Sequence, residues 1–285
     1  MINVGEILYT NVHPFFYHLN RDQFQHDVSF VPSIPAKLNE AMAQGKIDVG
    51  AISSFAYAQN HEDYVLMPDL AVAAKGEVGS IFLFSKVPIE QLNDKTIALT
   101  HSSATSIHLL KIIMRRFYEH RGNTYHTVPP IYDEMMSKHD ACLLIGDDAI
   151  EAKRREEHQV YVYDLANLWT ANTSLPMTFA VFAMRKDKLA EEPEGMEQLL
   201  LEWKSSEAKT RHDCYEELAA HVSKEYGGPP SFWKQYFTNL RYQFQEEDQK
   251  GLLHFYTLLY EEGYLHDKAD ELKVWDVGVG IHSIT

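Results

Sequence analysis

Cysteine is scarce in this chain: 285 residues contain two, Cys142 and Cys214. That excludes a disulfide framework, and the position of Cys142 inside the apolar run ACLLIG marks a buried, inert thiol. Long apolar runs are missing too. Nothing approaches the roughly 20 residues that a membrane span requires. The start, MINVGEILYTN, has no basic leader, apolar stretch or small-residue cleavage site. The expectation is a cytoplasmic protein without a membrane partner. Positive charge is also in short supply, with 26 Lys and Arg against 41 Asp and Glu, a formal net charge of −15. Basic residues gather only in short clusters such as Arg115-Arg116 and Lys153-Arg154-Arg155, which argues against a nucleic-acid partner. A small anion stays possible as ligand, because backbone amides and helix N-termini hold anions inside acidic proteins.

The missing chemical motifs narrow the field further. Fifteen histidines supply no HExxH, and pairs such as His13 with His18 or His101 with His108 lack a usual metal spacing, so no metal site is expected. Gly278 and Gly280 fall in WDVGVG at the extreme C-terminus, with no room for the βαβ unit of a dinucleotide fingerprint. Neither GxxxxGK[ST] nor GxSxG occurs.

What is present is an ordinary globular composition, 45% hydrophobic and 24% charged, in a chain long enough for two lobes. Short β-branched runs alternate with helical patterns: INVGEILY and then a helix near PFFYHL, VSFV and then PAKLNEAMAQG, IDVGAI and then SFAYAQN. Such alternation predicts parallel strands joined by crossover helices. The helix over 35–44 is punctuated by Ser33, an early Pro35 and a closing Gly45. A second series follows: TIALT and the helix ATSIHLLKIIMRRFYEH, a strand over 124–128, then ACLLIG and the helix DAIEAKRREE. Leu109, Leu110, Ile113, Met114 and Phe117 mark one apolar face of its long helix. GSIFLFS (79–85) and MTFAVFAM (177–184) read as two crossings between lobes, and the helical C-terminal third, broken at Gly227-Gly228-Pro229-Pro230, as packing back on the first. The plan is α/β, with lobe I at 1–85 and 178–285 and lobe II at 86–177. It resembles the type II periplasmic-binding-protein fold, with ligand in the cleft between lobes.

Open α/β sheets bind ligands at the carboxyl ends of their strands. Four places qualify: Tyr9-Thr10-Asn11, Ser53-Ser54, the run Ser102, Ser103, Ala104, Thr105 and Ser106, and Asp147-Asp148. Ser53, Ser102 or Ser103, and Asp147 are also natural helix N-caps, each stabilising by about 1 kcal/mol. The two roles are compatible, since one residue caps while its neighbour meets a carboxylate through a hydroxyl or free amide. Trp203, Phe232, Trp233, Tyr236 and Phe237 read as helix core.

The ordered set YTNxxPFF (9–16), GKIDVGAISS (45–54), PDL (68–70), VGSIFLFS (78–85), SSATS (102–106), LLIGDDA (143–149) and YVYDL (161–165) resembles the chorismate dehydratases, which open the futalosine route to menaquinone. The resemblance runs from residue 2 to about 185. It implies a hydro-lyase that converts chorismate, a small dianion, to 3-[(1-carboxyvinyl)oxy]benzoate without metal or organic cofactor. The reactive-site Asn and Ser of that family correspond to Asn11 and Ser80. Its carboxylate-holding loops correspond to Ser53-Ser54 and 102–106, and Gly79, Gly146 and Asp147 complete the substrate contacts. The family's favoured base, the substrate's own enolpyruvyl carboxylate, accounts for the lack of an obvious Glu or His base. His13 departs from the smaller or aliphatic residue expected there, which keeps a proton-transfer role open. A solute-binding protein of the same fold that delivers a small anion is the alternative. The sister enzyme that makes 1,4-dihydroxy-6-naphthoate is disfavoured by the lack of a Cys-Pro-Asn-Asp type segment after the first strand.

Overall fold

In the computed structural model, which describes residues 1–24, 27–155 and 159–285, the β-branched runs become thirteen strands among the described residues. They are β1 (Ile2–Ile7), β2 (Val28–Ser33), β3 (Val49–Ser53), β4 (Tyr64–Ala74), β5 (Ile81–Ser85), β6 (Thr96–Thr100) and β7 (Thr124–Val128). There follow β8 (Ala141–Ile145), β9 (Tyr161–Asp164), β10 (Met177–Arg185), β11 (Leu240–Arg241), β12 (Leu272–Asp276) and β13 (Gly280–Ile284). The larger sheet orders β13-β12-β4-β10-β3-β1-β2, with β11 also on β4, and the smaller orders β7-β6-β8-β5-β9. As the alternating pattern requires, β1 runs parallel to β2 and β3, and β6 to β7 and β8. β10 and β5 enter their sheets antiparallel, so both sheets are mixed.

Strands buried on both faces read as unbroken apolar runs, which is the character of β3, β5 and β8. The same property explains a difference from the expected crossings. β5 lies between β8 and β9, and β10 between β3 and β4, so apart from Gly79 and Ser80 each of the two apolar stretches sits within one sheet. The chain passes between sheets in the short segments 75–80 and 174–176 that precede them. Residues 81–85, expected with lobe I, therefore pair in the smaller sheet.

Local punctuation shaped the helices with small shifts. The helix Pro35–Ala43 has Pro at its start and Gly45 just beyond its end at φ 70°, but its N-cap is Ile34, without a side-chain bond. The long helix of the second series is α-helical only over Ala104–Ile112 and widens into a π turn over Ile113–Phe117. Leu109, Leu110, Ile113 and Met114 are fully buried there, while Phe117 is half-buried. The helix after β8 spans Gly146–Lys153, and residues 156 and 157 of the expected DAIEAKRREE lie outside the described residues. The Gly-Gly-Pro-Pro break ends the helix Glu216–Tyr226 and starts the helix Pro230–Asn239. Beyond the helix Glu246–Glu261, β12 and β13 form a hairpin that extends the larger sheet, an addition the helical reading of the C-terminal third did not include.

The register of β1 on β3 depends on close approach. A Cβ on Gly50 would lie 2.4 Å from the Gly5 carbonyl oxygen, where nothing can yield but backbone. Gly50→Ala is expected to cost about 1–3 kcal/mol through overpacking, read as a lower urea midpoint with an unchanged slope.

Candidate functional site

The carboxyl ends of β1, β3, β6 and β8 converge where the two sheets meet, and the groups there are hydroxyls, amides and carboxylates. After β1 the chain enters a 3-10 turn, Thr10–Val12, and the short helix His13–Phe16. The fully buried Thr10 donates its hydroxyl to Asp147 Oδ1 at 2.6 Å, and its backbone N–H points at the same carboxylate at 3.3 and 3.4 Å. Asp147 stands in the first turn of the helix after β8, so the contact ties the smaller sheet to the larger. Burial pushes the Asp147 acid up to about 6, against the pull of the Thr10 bonds and with help from Asp148 and Glu225. Asp147 is therefore not an N-cap: that position belongs to Ile145, and the carboxylate is spent across the junction.

A second tie joins the starts of two helices. Ser53 caps the helix Ser54–Gln59, accepting from Ala56 N–H at 3.2 Å and from Asn39 Nδ2 at 3.0 Å. Both of its lone pairs are thereby taken. Ser54 donates to the Thr178 carbonyl at 2.8 Å and lies 3.2 Å from Thr105 Oγ1. Thr105 Oγ1 in turn accepts the Phe55 N–H at 3.0 Å. A hydroxyl from the helix after β6 thus satisfies an orphan amide at the start of the helix after β3, as helix starts require. Ser103 caps its own helix by accepting the Ser106 N–H, and the two hydroxyls bond at 3.1 Å. Ala104 opens that helix. Ser102 is left to meet the Tyr9 hydroxyl, which burial holds above the ordinary phenol range.

The first crossing segment brings Ser80 to this junction. The Asp164 carboxylate accepts the N–H groups of Val78 at 3.2 Å and Gly79 at 2.8 Å, and Gly79 takes φ 72° to make the turn. Ser80 is 2% exposed, receives the Tyr236 hydroxyl proton at 3.1 Å on Oγ and accepts the Gly146 N–H at 2.7 Å on its carbonyl. Gly146 has φ 60°, and a Cβ there would sit 2.7 Å from the Tyr9 ring, so only glycine fits beneath that aromatic.

Asn11 completes the group with a feature of its own: its Oδ1 is buried without a hydrogen-bond partner. A buried acceptor of this kind calls for a donor from ligand or water. No contact among the described residues joins its side chain directly to Ser80. Next to it, burial first and the nearby His221 second lower the His13 imidazole to about 4, which keeps it neutral at pH 7.

Ser54, Gly79, Ser80, Ser102, Thr105, Gly146 and Asp147 thus meet partners at the junction, whereas Ser53, Ser103 and Ser106 turn their hydroxyls to their own helix starts. Thr10 belongs to the Tyr9-Thr10-Asn11 turn marked in the sequence but has no role of its own there, and Tyr236 reads there as helix core. Tyr236 sits in an aromatic-rich helix whose other members, Trp233 and Phe237, are core, so its pattern hides the outward hydroxyl. Among the described residues no group of three or more His, Cys, Asp or Glu is arranged to hold a metal ion.

The family described as menaquinone biosynthesis matches residues 2–261. A chorismate dehydratase from Thermus thermophilus is 32% identical over 266 residues, spanning 87% of this chain and 91% of that protein. Among solved structures, an Archaeoglobus fulgidus protein superposes with TM-score 0.72 at 20% identity, covering 93% of this chain and 98% of that one. The periplasmic aliphatic sulphonate binding protein of Escherichia coli gives TM-score 0.66 at 16% identity, with 94% of each chain covered. A Candida albicans protein described as having the generic periplasmic binding protein fold gives 0.62 at 11%, covering 95% and 92%. These structural likenesses establish the fold: α/β, periplasmic-binding-protein-like.

Because Thr105 joins the lobes through one hydroxyl, Thr105→Val should leave the Phe55 amide unsatisfied at a cost of about 1–3 kcal/mol. The melting temperature should fall and small-angle scattering should show a larger radius of gyration. A variant unchanged in both would remove Thr105 from the closure.

Proposed function

The chain belongs to the menaquinone biosynthesis family, and from that premise we infer that it is a chorismate dehydratase, a hydro-lyase that takes water from chorismate to give 3-[(1-carboxyvinyl)oxy]benzoate. The observation that carries this reading is the similarity to the Thermus thermophilus enzyme across most of both chains. The substrate is a small dianion, acted on in the cytoplasm without nucleic acid or membrane as partner. The lobes divide at the two short crossing segments, 75–80 and 174–176, and close on the substrate.

The chemistry suits a site of hydroxyls and amides. Loss of the proton from the carbon bearing the enolpyruvyl ether is eased by conjugation to the ring carboxylate. Departure of the neighbouring hydroxyl then makes the ring aromatic, so the thermodynamic pull resides in the substrate and the reading calls for no metal or organic cofactor. What the protein supplies is orientation. The substrate's enolpyruvyl carboxylate serves as base, which fits a site where the imidazole next to Asn11, that of His13, is weakly basic. Chorismate has a single hydroxyl, the leaving group, and it is the donor that the buried Asn11 Oδ1 lacks. Ser80, buried at the crossing, faces the departing oxygen once the lobes are shut. Ser54, Ser102 to Ser106 and Asp147 frame the carboxylates through helix-start amides and hydroxyls, while Gly79 and Gly146, whose own N–H groups go to Asp164 and the Ser80 carbonyl, let the backbone turn close beside them.

The test is incubation of purified protein with chorismate, read by mass spectrometry for a product lighter by one water, together with three variants. Asn11→Ala and Ser80→Ala should each lower single-turnover dehydration by roughly 10² to 10³, as loss of a transition-state hydrogen bond does, with little change in melting temperature. Cys142→Ala should do the reverse, since Cys142 is 0% exposed in β8 and its truncation leaves a cavity far from the reacting groups. Binding of chorismate without turnover would favour the solute-binding alternative. Near-normal turnover in both Asn11→Ala and Ser80→Ala would overturn the site.

A further inference from the structure

Ser80, Tyr236, Thr10 and Asp147 form a run of oxygen-bearing side chains from the interior of the junction toward its edge. Tyr236 donates to Ser80 Oγ at 3.1 Å, its hydroxyl also interacts with the Thr10 side chain, and Thr10 bonds Asp147 Oδ1 at 2.6 Å. Three members of the run are buried and only the last reaches the surface. Ser80, Tyr236 and Thr10 are 2%, 4% and 0% exposed, whereas Asp147 is only partly buried and can exchange protons with water. The run draws on four parts of the chain: Ser80 lies on the crossing segment before β5, Thr10 follows β1, Tyr236 lies on the helix Pro230–Asn239, and Asp147 is on the helix after β8. It is continuous only when the lobes are together.

We propose that Asp147, Thr10 and Tyr236 are a proton relay that resupplies Ser80 as it protonates the departing hydroxyl, and that lobe closure is what assembles the relay. This rests on the reading of Ser80 as the group facing the leaving oxygen in chorismate dehydration. In the step, the carbon–oxygen bond breaks with its electron pair on oxygen, and that oxygen takes the Ser80 proton to leave as water. Ser80 takes the proton of Tyr236, Tyr236 that of Thr10, and Thr10 that of Asp147, which ends as a carboxylate. The proton lost from carbon rests on the substrate's carboxylate and passes to solvent when the lobes open, while Asp147 is recharged from solvent. No net proton is gained or lost.

Thr10 pulls the Asp147 pKa down through its hydroxyl and N–H, but burial outweighs that pull and the other groups facing Asp147 favour its acid form. Asp148 lies beside it on the same helix, Glu225 and Tyr226 face it from the end of the helix Glu216–Tyr226, Tyr9 from the turn after β1 and Tyr236 from its own helix, and none of these brings positive charge. With burial the foremost cause, the acid is held up to about 6, so a protonated fraction persists near neutrality and a bound dianion would enlarge it. The sign of the pH dependence follows. A donor must be protonated, so kcat should be highest below the Asp147 pKa and fall as pH rises through it.

The experiment measures kcat, KM and the pH profile of kcat for the whole protein and its variants. Tyr236→Phe and Thr10→Val should lower kcat by about 10²-fold, the lower range for a lost proton transfer, with KM little changed. Thr10→Ser, which restores a hydroxyl, should recover most of the rate. Asp147→Asn should lower kcat and abolish the high-pH fall, which a merely structural role would leave in place. Should Asp147→Asn fail to fold, Tyr236→Phe keeps the question open to measurement, since it removes a single oxygen. Wild-type kcat and an intact high-pH fall in Tyr236→Phe, beside an inactive Ser80→Ala, would overturn the relay and leave the dehydration reading standing. Full activity in Ser80→Ala would overturn the relay with the site it serves, and no dehydration by the unaltered protein would overturn the function itself.

Discussion

The geometry of the junction depends on one buried carboxylate. Asp164, 8% exposed at the end of β9, accepts four backbone N–H groups: Ala166 at 2.9 Å and Asn167 at 3.2 Å on the helix Leu165–Thr173 that it caps, and Val78 and Gly79 on the crossing segment. Burial raises its pKa and the four amides pull it back. An ionised group in such a place is tolerated only when its oxygens are fully bonded. The same bonds that satisfy it fix where the crossing segment turns, and hence where Ser80 meets Tyr236. Gly79 reinforces this fit, since a Cβ at that residue would come within 3.3 Å of the Tyr236 ring.

Around that fixed point the lobes meet through apolar contacts, such as Phe55 stacked on His108 at 3.7 Å and Trp169 edge-on to Phe255, and through polar contacts that a ligand can exchange. Thr105 meets the Phe55 amide and the Ser54 hydroxyl, and Thr10 meets Asp147 through its hydroxyl and its N–H, so a few hydrogen bonds join elements of different sheets. Each nets only about 0.5–1.5 kcal/mol, because water can take the place of either partner. The hydroxyls at the helix starts are the part of the junction that can offer an incoming carboxylate the donors that now serve the opposite lobe.

The parallel βα series was legible because each strand is a short β-branched run bounded by helix punctuation, as Pro35 and Gly45 bound the second helix. Lobe membership was less so. β5 and β10 are apolar along almost their whole length, and that pattern reports burial on both faces without naming the sheet that supplies it. Ser53 and Ser54 are chemically identical in sequence, yet one is consumed by Asn39 and Ala56 while its neighbour faces Thr105. Only the direction of the first helical turn separates them. Tyr236 was hidden for a related reason. Its ring belongs to the apolar face of its helix, and what distinguishes it from Phe237 is a single oxygen whose partner lies 156 residues away.

The same architecture serves proteins that bind, so what would make one an enzyme lies in groups that binding does not require. A site built to hold its ligand's ground state has every buried donor and acceptor matched by that ligand or by the protein. Asn11 Oδ1 is unmatched by the protein, and a string of hydroxyls leads from a partly exposed acid to a buried serine. Such groups do little for affinity, since hydroxyls already bonded to one another have little to offer a carboxylate. They matter where charge and protons move, at an oxygen that leaves with one proton more than it brought. A substrate driven by its own aromatisation asks little else, and under the proposed roles of Asn11 and Ser80 a binding cleft would need to add only one acceptor for the leaving group and a path for one proton.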